Sequence, residues 1–127
     1  MSRKCLCLTL LLLGCIGCRQ ESFDSALTEQ LNRSVGNEKT VFNQVYTYSS
    51  AREEAQEYCN KRINGKTQED IIEENVAWQI DLTLNKKVTP DEATNLISIR
   101  NMIQVLAVDF YCPQFKEEKL PLQERIK

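Results

Sequence analysis

Two cysteines far apart in a short chain, Cys59 and Cys112, constrain this sequence more than any other feature, and its pattern converges on Tyr111-Cys112-Pro113-Gln114. Cys112 closes a long apolar run, and Pro113 lacks the N–H that a further helical turn would need. Everything between the two cysteines reads as helix. Pairing them would therefore clamp helix ends.

A first helix is predicted over 41–63. Val41, Val45, Tyr48, Ala55, Cys59 and Ile63, with Tyr58 beside them, make one apolar stripe, while Arg52, Glu53, Glu54, Glu57 and Lys61 fill the other side. Asn64-Gly65 is suited to a left-handed helix end, and Lys61 and Arg62 suit the negative end of the helix dipole. Thr67 is the natural cap of a second helix, with Gln68, Glu69 and Asp70 in its first turn. Ile72, Val76 and Ile80 keep helical spacing there, but Val76, Trp78, Ile80, Leu82 and Leu84 alternate as a strand would. Helix is the better assignment, because a lone strand would leave its backbone groups unpaired.

After the polar turn Asn85-Lys86-Lys87, the residues Thr89-Pro90-Asp91-Glu92 combine a capping threonine, a proline where its missing N–H costs nothing, and a glutamate able to close a capping box. The third helix then carries Ala93, Leu96, Ile97, Met102 or Ile103, Leu106, Ala107 and Phe110 up to Tyr111. The expected fold is all-α, an up-down-up bundle of three helices over 41–113. That topology puts the carboxyl ends of the first and third helices together, so Cys59 and Cys112 come within bridging range if both face inward. Closing a loop of about fifty residues removes about 4 kcal/mol of unfolded-state entropy, a large share of what a small core supplies. Two buried free thiols are the alternative.

The 127 residues leave room for one domain, and 16 basic against 18 acidic residues give no basic field for nucleic acid. Histidine is absent, which removes the commonest general base and the commonest metal ligand together. Four cysteines, Cys15, Cys18, Cys59 and Cys112, could be counted as a zinc set, and Cys15-Ile-Gly-Cys18 as a redox motif. Both readings are weak because the first pair follows the leucine run Leu10 to Leu13 rather than a strand. No cofactor or metal is expected.

Met1 to Lys4 is a short basic start, and Cys5 to Gly14 an apolar run of signal-peptide length, too short for a membrane span. Leu12-Leu13-Gly14-Cys15 resembles a bacterial lipobox. The resemblance implies removal of residues 1–14, acylation of Cys15, and a protein anchored to a membrane without spanning it. Cys18 is the competing acceptor, with a cut after 17; it would leave Cys59 and Cys112 as the only other cysteines, whereas Leu12 favours Cys15. Residues 15–40 read as lipid anchor and polar tether, although Phe23, Leu27 and Leu31 recur every fourth position, as in a short helix resting on the domain or on lipid. Residues 114–127 form a charged tail broken by Pro121, in which Phe115, Leu120 and Leu122 could fold back onto the domain.

The order Cys59, Gly65, Thr67, Thr89-Pro90, Ala93 and Tyr111-Cys112-Pro113 resembles the small secreted helical domains grouped as domain of unknown function 732, over about residues 51–114. This chain departs from them in its bulky last helix, Ile97 to Val108. The resemblance implies the Cys59–Cys112 disulfide and an envelope or extracellular location, and it brings no activity.

Chemistry is thinly marked. Glu53 and Glu57 lie one helical turn apart, as an acid and a base could, but a solvated acidic face is the simpler account. Arg52 could pair with an acid from another helix. Tyr46, Tyr48 and Trp78 could form a binding face, since amphipathic aromatics favour such surfaces; core packing is the plainer role. The function expected is a non-enzymatic, membrane-anchored interaction module of the cell envelope, on the extracytoplasmic side, whose partner is an unidentified envelope protein or component and not nucleic acid. The alternative is a small redox-active or hydrolytic envelope protein using Cys59 and Cys112, or Glu53 and Glu57.

Overall fold

The computed structural model describes residues 22–119 except residue 86, with side chains as far as residue 116. These residues form five α-helices, α1 (Phe23–Arg33), α2 (Glu38–Val45), α3 (Tyr48–Ile63), α4 (Gln68–Leu84) and α5 (Pro90–Phe110), then a 3₁₀ helix, Pro113–Lys119. The described residues are thus all-helical, and the alternating stretch 76–84 is helix.

α5 is the hub. Every other helix and the 3₁₀ segment pack against it, and its Ile99, Ile103, Ala107 and Val108 are almost wholly buried. Each large aliphatic side chain buried there stabilises the fold by about 1.5–3 kcal/mol. Glu54 meets Arg100 and Cys59 meets Cys112, so α3 runs parallel to α5. Asn75 meets Gln104 and Trp78 meets Arg100, so α4 runs antiparallel. α3 and α4 are thus spokes on α5, with two further helices packed on it beside them, rather than members of an isolated trio.

Several expectations need correction. The single helix over 41–63 is two helices, because Tyr46 is extended and Thr47 starts a new helix with a reciprocal box: its hydroxyl accepts from the Ser50 N–H at 3.0 Å, and the Ser50 hydroxyl accepts from the Thr47 N–H at 3.0 Å. Val45 and Ile63, placed on the inward stripe by spacing, are exposed. The stretch read as tether contains α1, which Ser22 caps, and Phe23, Ala26, Leu27 and Leu31 of α1 lie in the core. The helix that rests on the domain is therefore the form seen. Residues 15–21 of that stretch, with Cys15 and Cys18, lie outside the described residues, as do the leader and the tail beyond 119, with Leu120 and Leu122.

Local signals fared better. Thr67 caps α4 and forms a box with Asp70, and its neighbour Gly65 has a positive φ of 100°. There the Lys66 N–H bonds the Lys61 carbonyl at 3.0 Å and the Gly65 N–H bonds the Arg62 carbonyl at 3.1 Å, so the last carbonyls of α3 are satisfied. Thr89 caps α5 by accepting from the Glu92 N–H at 3.2 Å, with Pro90 in the first turn; Glu92 does not return the bond. Phe115 folds back as expected, its ring 4.6 Å from the guanidinium carbon of Arg62.

Candidate functional site

Four elements meet at one half-buried ion pair. Arg100 of α5 donates from Nε to the Glu54 carboxylate of α3 at 2.9 Å, and its guanidinium carbon stands 3.5 Å from the centre of the Trp78 ring of α4. Tyr46, at the end of α2, donates its hydroxyl to the same Glu54 oxygen at 3.4 Å. Its ring stacks on Phe42 at 5.4 Å. Burial first, and then the Glu54 carboxylate beside it, hold the Tyr46 hydroxyl protonated well above the ordinary tyrosine range. The Tyr46 hydroxyl therefore keeps its proton near neutrality and serves the cluster as a donor. The cluster is a latch joining α2, α3, α4 and α5.

Two of the three aromatic residues expected to form a binding face, Tyr46 and Trp78, thus flank one ion pair and are partly buried. Tyr48 packs against the same Phe42 ring as Tyr46 but away from the ion pair, with its hydroxyl 2.6 Å from that of Thr28. It lines an open, shallow depression with Asp24, Thr28 and Asn32 of α1. The aromatics serve packing first. Arg52 does pair with an acid of another helix, Asp24 of α1, at 2.5 Å.

Glu53 and Glu57 are both exposed, and Glu57 pairs with Lys61 one turn on at 3.4 Å. Cys59 and Cys112 form a disulfide with Cα atoms 5.8 Å apart across 53 residues. Cys59 is 4 % exposed and Cys112 0 %. A thiolate could reach that bond only if the domain opened. Among the described residues no group of three or more cysteine, aspartate or glutamate side chains could hold a metal ion.

A second apolar surface lies on α4. Ile72, Val76 and Ile80, which keep helical spacing, are 39 %, 49 % and 51 % exposed, and Leu84 one turn on is more so. The side turned to α5 carries Ile71, Asn75, Trp78 and Leu82 instead. Asn75 is the reason. Its amide and that of Gln104 bond each other both ways, at 2.8 and 3.3 Å, which satisfies buried polar groups that would otherwise oppose this register. With an asparagine turned inward, the apolar row one position on faces out. No helix among the described residues is long and apolar enough to cross a membrane.

No family model, curated protein or solved structure matches this chain. The functional reading therefore rests on its own residues.

Proposed function

We propose that the chain is a lipoprotein of the bacterial envelope, acylated at Cys15 with Cys18 as the alternative, whose helical domain is a non-catalytic interaction module. The row Ile72, Val76, Ile80 and Leu84 carries the second part of this reading. A helix that is apolar on its inner side and again along its outer side has more apolar surface than a solitary domain uses, and such surface is typical of contact sites. The buried disulfide and the solvated Glu53 and Glu57 weigh against the redox and hydrolytic alternatives. The basic start, the apolar run and Leu12-Leu13-Gly14-Cys15 support the anchor. Kinship with the domain of unknown function 732 family is part of the proposal and rests on the order of its short motifs.

The anchor is tested by growing a bacterial host that expresses the full chain on a clickable fatty acid. Label should appear in the wild type, persist in Cys18→Ala and vanish in Cys15→Ala; an unlabelled wild type would remove the anchor from the account. The interaction is tested by crosslinking intact cells. A discrete adduct should form with the wild type and with Val45→Lys, which changes an exposed valine elsewhere, and be lost with Val76→Lys. Equal adducts in all three would put the contact somewhere other than α4.

A further inference from the structure

The end of the domain at which α1 begins is also the end at which α3 and α5 finish. The Phe23 ring lies 6.3 Å from that of Phe110 and 5.5 Å from that of Tyr111, next to the Cys59–Cys112 bridge. The 3₁₀ helix from Pro113 starts there as well, with Lys116 3.6 Å from Asp109. The turn between α4 and α5 marks the opposite pole, since α5 rises from that turn through 21 residues, about 31 Å.

We propose that the disulfide pole faces the membrane and the α4–α5 turn points away from it. This rests on the lipid anchor proposed above. The first described residue is Ser22, whose hydroxyl accepts from the Ser25 N–H at 3.1 Å. From Cys15 to Ser22 the chain can span at most roughly 25 Å, and from Cys18 roughly 14 Å, however the intervening residues are arranged. An inverted domain would lift Ser22 about 31 Å from the lipid, the length of α5, which exceeds either reach. Lying on α4 is opposed by charge. That helix carries Glu69, Asp70, Glu73, Glu74 and Asp81 with no lysine or arginine of its own; Lys61, Lys66 and Lys87 pair with Glu74 and Asp81, and pressing the other three carboxylates against lipid would cost their hydration. A short leash at one pole beside an impenetrable surface leaves the upright orientation with the most room. The α4 row then runs along the side of the domain, open to a partner approaching laterally from the same membrane.

The test is collisional quenching of tryptophan fluorescence in full-length, lipidated protein reconstituted into vesicles with a nitroxide on the lipid headgroup. Trp78→Phe removes the chain's one tryptophan, and Gln114→Trp or Lys87→Trp places a new one at the disulfide pole or at the α4–α5 turn. Quenching should be several-fold stronger at position 114 than at 87, and a flexible Gly-Ser spacer of about twelve residues inserted before Ser22 should erase the difference. Equal quenching at the two positions without the spacer, or stronger quenching at 87, would overturn the orientation. Protein that fails to float with the vesicles would instead refute the anchor, a separate outcome. Paramagnetic broadening of wild-type amide resonances by the same headgroup label reads the two poles without any substitution, and uniform broadening would equally overturn the proposal.

Discussion

α3 and α4 both lie along α5, but they are held there by different means. α3 is strongly charged, yet it docks through Ala51 and Ala55, both fully buried, and through a covalent bond at its end. Small side chains let two helix backbones approach closely, and the disulfide removes freedom from the unfolded chain. α4 is far more apolar, but only Ile71 and Asn75 on it are buried, and much of its apolar surface points outward. Hydrophobic content therefore does not measure how firmly a helix is held. α3 is built for stability, and α4 keeps apolar surface in reserve.

The sharpest way to break this contrast is to cut the staple. Reduction, or Cys112→Ser, should lower stability by about 4 kcal/mol by the chain-entropy relation, read as a large fall in the thermal midpoint; a fall of only a degree or two would mean that α3 needs no covalent help. Next comes a paired enlargement. Ala55→Leu should destabilise the domain by about 1–3 kcal/mol because its site is closed, whereas Ala77→Leu on the outer side of α4 should change stability by less than about 0.5 kcal/mol. Denaturant titration of the two variants should separate them, and equal losses would erase the distinction.

Asn75→Ala should cost about 1–2 kcal/mol by leaving the Gln104 amide without its partner, while Asn75→Leu combined with Gln104→Leu should recover most of that loss. If the double variant were the less stable, the polar pair would be holding α4 by more than mutual satisfaction. The smallest effect concerns pH. The Thr67 backbone N–H, and then its side chain, hold the exposed Asp70 carboxyl below its usual range. Its contribution is present above the unfolded carboxylate pKa and disappears as pH falls through the depressed folded value. Amide exchange in the first turn of α4 should quicken over that acid range while α3 stays protected; no change would mean that the box does not hold the helix start.

What was legible beforehand was local. Thr67, Thr89-Pro90 and Gly65 act through neighbours three to five residues away, and each marks a helix end in the structure. The cysteine pair followed from them, because helix order fixes which ends meet. The break at Tyr46-Thr47 was hidden because Thr47 and Ser50 sit inside an otherwise continuous helical pattern. α1 was legible as a possible short helix, but not its place in the core: such a helix is stable only through what it touches, and Phe23, Leu27 and Leu31 find their partners on an element about eighty residues away. Which side of α4 faces inward was not legible, because apolar residues at helical spacing lie on two sides of it; the contacts that mark the inner side, Asn75 with Gln104 and Trp78 with Arg100, join residues far apart in sequence. The Glu54–Arg100 latch was likewise out of reach, joining residues 46 positions apart that no local spacing links.

Intact-mass analysis of the protein from its host's membranes, alkylated without and then with reductant, tests the proposed lipid anchor and the disulfide together. The expected mass lacks the leader and carries acyl chains, with two cysteines that alkylate only after reduction. An unprocessed mass with every cysteine alkylated at once would contradict both the anchor and the staple.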